Sequence, residues 1–168
     1  MLTLHAIGMA LASAPLPQAK GAARCARSIN GGEGGTSTVW TTGEKLSSAA
    51  AAFANGTFAD ILDWEDCAWT GHPCAGVIPV TVAVAQERRS TGKEFLAAVV
   101  SWFESYLRVA MSVQPSADYN HGKGWGIVSW QIFASSMPAD AFLRGGLFLF
   151  DGGAVQHAVL HSDHALWG

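Results

Sequence analysis

Four carboxylates, Asp60, Asp63, Glu65 and Asp66, fall within seven residues, and a Gly71-His72-Pro73 corner follows them. Charged residues make up only 14% of the chain, so this crowding stands apart from its surroundings. On a helix, Asp60, Asp63 and Asp66 are neighbours at i, i+3 spacing. Like charges that close raise the pKa of at least one partner, which suits a carboxylate to proton transfer. A histidine held in a rigid corner beside them is a proton donor or acceptor near neutral pH. The plain alternative is a solvated helix end or loop, the commoner setting of acidic clusters. Carboxylates with one histidine are also ligands for Mg or Mn, but no repeated ligand spacing supports a metal here.

Other chemistry-bearing residues are weaker candidates. His157, His161 and His164, with Asp163, fall at i, i+4, i+7 on a helical tail and would form one metal-binding face. Cys25, Cys67 and Cys74 show no CxxC spacing, and an odd, sparse count reads as reduced thiols, most simply small buried hydrophobes. Gly31 to Gly35 is glycine-rich, yet it lacks the GxxxxGK[ST] and GxGxxG patterns of phosphate cradles, so it reads as a connector. Trp125, Trp130 and Phe133 read as core rather than a stacking box.

The elements that must position these residues are mostly helical. Leu2, Leu4, Ile7, Met9 and Leu11 predict a helix with one crowded apolar face, broken by Pro15 and Pro17. Pro17 can open a second helix that stops at Asn30-Gly31. Thr36 to Thr42 predicts a short strand, with Thr42-Gly43-Glu44 as a turn. Ser47 or Ser48 can cap a helix over the alanine run to Ala54, with Asn55-Gly56 as an interruption and helical structure resuming from Thr57 to Asp63. Val77 to Arg88 is apolar, and Pro79 suits only a first turn. Thr91-Gly92-Lys93-Glu94 is a capping box before a long helix carrying Phe95, Leu96, Val99, Val100, Phe103, Leu107 and Met111. A further helix is expected over Ile127 to Ser135 and a strand over Leu147 to Phe150. The fold class is therefore all-α in the main, with one short extended segment.

Composition narrows the function classes. The chain has 168 residues, 49% of them apolar, with net charge −3. That excludes a basic nucleic-acid binder. No apolar run is long enough for a membrane span. Leu2 to Ala14 ends in an Ala-Ser-Ala sequence like a signal cleavage site, but no Lys or Arg precedes Lys20. A cytoplasmic location is expected. The scarcity of charge points to a large buried interface with another chain or further domain.

The run Ala51-Ala52-Phe53-Ala54-Asn55-Gly56-Thr57, then Leu62-Asp63-Trp64-Glu65-Asp66, then Gly71-His72-Pro73 resembles the signature of the MmgE/PrpD family. Ile78-Pro79-Val80, Ser90-Thr91-Gly92-Lys93 and Ala97-Ala98-Val99-Val100 are similar to the family's next helices, and Gly31 to Gly43 to its glycine-rich approach. The similarity covers roughly residues 3 to 137, in the right order. Members include 2-methylcitrate dehydratase and cis-aconitate decarboxylase, built from a large helical domain and an α/β lid. The resemblance implies that residues 1–137 are the amino-terminal part of the helical domain without the lid. It leaves 138–168 as a divergent tail.

Carried over by position, Asp63 matches the first acid of the family motif and His72 its histidine. Those two are the expected catalytic pair, with Asp66, His121 and Lys123 expected at the substrate. Departures stand at Gly124-Trp125-Gly126, where members often have a histidine after the aromatic residue. They stand also at Asp60 for histidine, Glu65 for Asp and Cys67 for Thr. The implied chemistry is cofactor-independent dehydration or decarboxylation of a small tricarboxylic acid, with no metal, and a homodimer formed through helical surfaces. Either path builds negative charge that cations must neutralise, a role that suits Lys123. The opposing expectation is a non-catalytic helical remnant that binds a partner. A metal-binding protein using the histidine tail is a third.

Overall fold

The computed structural model describes residues 1–32, 34–68 and 71–113. Among these, five helices and one two-stranded sheet follow in the order α1 (Leu2–Ser13), α2 (Pro17–Asn30), β1 (Ser37–Thr38), β2 (Lys45–Leu46), α3 (Ser48–Asp60), α4 (Pro73–Arg88) and α5 (Gly92–Val113). The mainly helical class is what the periodicity leads one to expect. Proline and glycine set several ends. Pro17 is the first residue of α2, and Gly31 closes it with φ of 68°, a left-handed turn that costs glycine little. Ser47 caps α3 by accepting the Ala50 amide. At α5 the capping box is reciprocal: Glu94 accepts the Thr91 amide at 2.7 Å, and Thr91 Oγ1 accepts the Glu94 amide at 3.3 Å. The strands pair antiparallel, Ser37 opposite Leu46 and Thr38 opposite Lys45.

Three expectations are overturned. Asn55-Gly56 does not interrupt α3, which runs unbroken through both. The Asn55 side chain is buried and turned to the hairpin, accepting the Trp40 amide at 2.9 Å and donating to the Thr38 carbonyl at 2.8 Å. Gly56 is where α4 comes closest, since a Cβ there would lie 3.0 Å from the Ala75 carbonyl oxygen. Both residues therefore serve tertiary contacts that outweigh their low helix propensity. Pro79 sits well inside α4 rather than in its first turn, which belongs to Pro73. Its missing N–H leaves the Ala75 carbonyl without an i−4 donor, and that same carbonyl faces Gly56.

The third concerns α1. Its buried residues are Ala6, Ala10 and Ser13, while Leu2, Leu4 and Leu11 are exposed. Small residues one turn apart let α1 lie close to its neighbours, where leucines would hold the axes apart. The core has two parts. Phe58, Val39, Leu46 and the alanines of α2 and α3 form one; Cys74, Val77, Ile78, Val99, Trp102 and Tyr106 of α4 and α5 form the other. Trp40 packs against both. α3 and α4 lie side by side, α1 and α2 cover α3, and α5 covers α4. The segment joining α3 to α4 holds the acidic cluster, and the two helices fix its ends.

Candidate functional site

Asp60 is the last residue of α3, and Asp63, Glu65 and Asp66 lie beyond it in irregular chain. The i, i+3 helical arrangement is therefore not formed. A loop gathers the carboxylates instead. The Asp63 amide donates to the Asp60 carbonyl at 3.1 Å, and Asp63 takes a left-handed φ of 53°. Aspartate tolerates that region better than most side chains, but it remains a sparsely populated one. His5 of α1 meets the Trp64 carbonyl at 3.1 Å and holds the loop from outside. Asp66 accepts the Cys74 amide at 3.1 Å, satisfying one of the free donors at the start of α4.

His72 stands at the N-cap of α4, with Pro73 fixing the first turn behind it. Its side chain is 12% exposed. Each ring nitrogen faces a different acid: Nδ1 lies 3.1 Å from Glu65 Oε1, and Nε2 lies 3.8 Å from Asp63 Oδ1. The acids differ sharply in setting, since the Glu65 side chain is 1% exposed and that of Asp63 86%. Cys67 Sγ is also near Nδ1, at 3.7 Å. Burial, chiefly, pushes the Glu65 carboxyl above its ordinary range; its own backbone opposes the shift, the Asp60 carboxyl adds to it by hydrogen bonding and charge, and His72 opposes it least. Among the described residues neither Glu65 oxygen has a well-aligned hydrogen bond. Beneath the loop, the Tyr106 hydroxyl is pushed up to about 12 by burial, with Asp66 and Cys67 adding to it.

Beside this loop, Gly56, Thr57, Asp60, Ile61, Ala75 and Gly76 line an open groove of about 280 Å³ between α3 and α4. That is near the lower end of ligand-pocket volumes, a size for a small molecule. Asp63, Glu65 and His72 also bring one donor atom each within 4.8 Å of one another, close enough to hold a metal ion.

The expected pair, Asp63 and His72, is thus brought together. Asp66 is placed at the base of α4, with an oxygen on its backbone. His121 and Lys123 lie outside the described residues, as do the histidine tail, Trp125, Trp130, Phe133 and the elements expected after residue 113. Of the cysteines only Cys74 is buried, and Cys25 and Cys67 are exposed, against the expectation of buried thiols. The acid that sequence reasoning passed over is Glu65. No helix among the described residues is long and apolar enough to cross a membrane. The family model of the MmgE/PrpD N-terminal domain matches residues 1–145. No curated protein and no solved structure matches the chain.

Proposed function

The chain belongs to the MmgE/PrpD family, and from that premise we propose that its acidic loop and His72 form the proton-transfer part of a cofactor-independent lyase site. The substrate is a small tricarboxylic acid, and the reaction is dehydration of the 2-methylcitrate type or decarboxylation of the cis-aconitate type. The observation that carries this reading is the placement of one imidazole between two carboxylates, in the loop that follows Asp60, which itself lines the groove between α3 and α4. His72 moves the proton at the carbon next to a substrate carboxylate. Asp63, at the exposed rim, is its partner base.

The charge balance sets a further requirement. Asp60, Asp63, Glu65 and Asp66 make this corner strongly anionic, and a tricarboxylate adds more negative charge. Cations must meet the substrate's carboxylates in the transition state. Lys123 and His121 are the residues we assign to that role. A second copy of the chain meeting the helical surface belongs to the same reading, as does a cytoplasmic location.

The test is turnover of 2-methylcitrate or cis-aconitate, followed by alkene absorbance or CO2 release. The native chain is expected to react, and His72→Ala to lose about 10²–10⁴-fold, the usual worth of a general acid or base. A flat trace from well-folded protein would favour a helical module that binds a partner without turnover.

A further inference from the structure

We propose that Asp63, Glu65 and His72 together bind a divalent transition-metal ion, with Zn2+ as the type. The binding goes beyond the lyase reading and does not rest on it. An ion here takes a lone pair of the His72 ring, so the loaded chain and the chain that transfers a proton through that atom are alternative states.

The case begins with Glu65. Its side chain is 1% exposed, and neither of its oxygens has a well-aligned hydrogen-bond partner among the described residues. A carboxylate taken out of water without donors is costly, and a native fold keeps one where something else meets its charge. The His72 ring, 3.1 Å away, does so only when protonated. The Asp60 carboxyl beside it brings like charge and makes the cost greater. A bound cation meets both acids at once, because its charge outweighs every other local term.

The geometry supplies the rest of the set. Asp63, Glu65 and His72 each offer one donor atom, all within 4.8 Å of one another. Donors about 2.1 Å from a zinc ion stand about 3.4 Å apart in a tetrahedron. The ring lies 3.1 Å from the Glu65 oxygen and 3.8 Å from that of Asp63, so the separations are of that order before any ion draws them in. Glu65 is fixed by burial and His72 by its place at the start of α4. Asp63, 86% exposed, closes the set from the solvent side and leaves a fourth position open to water. The ring need not be free beforehand, since its contact with the Cys67 thiol, at 3.7 Å, is one a metal displaces readily. One imidazole with two carboxylates selects zinc, cobalt or nickel over magnesium and calcium, which prefer oxygen alone.

Calorimetric titration of the metal-stripped full chain with Zn2+, and separately with Mg2+, tests this. Zn2+ should bind at one site with micromolar or tighter affinity, and Mg2+ far more weakly. Glu65→Gln and Asp63→Asn should each weaken Zn2+ at least about 10–100-fold, the worth of even an outer partner of a metal ligand. The histidines at 157, 161 and 164 and the exposed thiols of Cys25 and Cys67 are rival ligands. A chain carrying His157→Gln, His161→Gln, His164→Gln, Cys25→Ser and Cys67→Ser should therefore keep the site. Native chain that takes up no Zn2+ at millimolar concentration overturns the proposal. So does Zn2+ bound equally well by Asp63→Asn, an exposed change that stands as the test even if Glu65→Gln does not fold. Mg2+ bound as tightly as Zn2+ would remove the imidazole from the set and overturn it too. None of these titrations needs substrate, so a chain without turnover leaves the metal site to stand or fall separately.

Discussion

His72 and its two acids show how exposure divides labour between residues of like charge. An ion pair as open to water as Asp63 with His72 is worth at most about 1 kcal/mol, which is less than tenfold in rate. Asp63 is therefore of use to catalysis only if it touches substrate. Asp63→Asn is expected to lower kcat by about 100-fold or more. A loss below about fivefold would reduce it to a surface partner. Its left-handed backbone makes a second, independent prediction. Asp63→Gly should leave thermal stability unchanged or raise it, because glycine relieves the strain, while turnover is lost. Stability that falls with that change would mean that the carboxylate holds the loop.

Glu65 gives the pH dependence at the same scale. Its carboxyl is raised in the fold, first by burial. A raised carboxyl favours the folded state while protonated. That contribution is whole below the ordinary glutamate range and is lost as pH rises through the raised value. Glu65→Gln imitates the protonated form. It should stabilise the chain relative to native at pH 7 to 8 and make little difference near pH 4, as read by thermal unfolding at each pH. The reverse order would place the ionised form as the favoured one in the fold.

At the scale of elements, the α3–α4 pair decides whether the site exists, because these helices anchor both ends of the acidic loop. Gly56→Ala tests the pair. In an exposed helix that change gains about 1 kcal/mol. Here the new Cβ would stand 3.0 Å from a backbone oxygen of α4, and backbone cannot move aside cheaply. The expected outcome is a net loss of about 1–3 kcal/mol, or roughly 2–4 °C in Tm for each kcal/mol in a chain of this size. A gain in Tm would show that the helices have room. Much of this level was legible in the sequence: the caps at Ser47 and Thr91, the stop at Gly31 and the mainly helical class all follow from local chemistry. Asn55, Gly56 and Pro79 were misread for one reason. Each breaks a helix by its own propensity, and each meets a residue distant in sequence: the Trp40 amide and Thr38 carbonyl for Asn55, the Ala75 carbonyl of α4 for Gly56, and Gly56 of α3 for Pro79. Leu2, Leu4 and Leu11 misled in the same way, since periodicity alone cannot tell that alanines will take the closer contact.

For the whole molecule, the candidate site was legible as a cluster but not as a geometry. The sequence could place Asp63 and His72 near each other, and both lie within the residues that the family model matches. That Glu65 would turn inward and Asp63 outward depends on where α4 and α5 bury the loop, which no local pattern encodes. The apolar residues left exposed on α5, Leu96, Val100 and Met111 among them, bear on assembly. If a second copy meets this surface, sedimentation should show a dimer that Val100→Glu dissociates; a monomer at all concentrations would remove the dimer from the account.

In the proposed reaction His72 carries a proton between the protein and a carbon of a bound tricarboxylic acid. Incubation in D2O with 2-methylcitrate or cis-aconitate, followed by NMR of the small molecules, measures that transfer itself, before or without release of product. Deuterium is expected at the carbon next to a carboxylate with the native chain, and its loss with His72→Ala. Deuterium entering equally fast with His72→Ala, or none entering with folded native chain saturated with either acid, would contradict it.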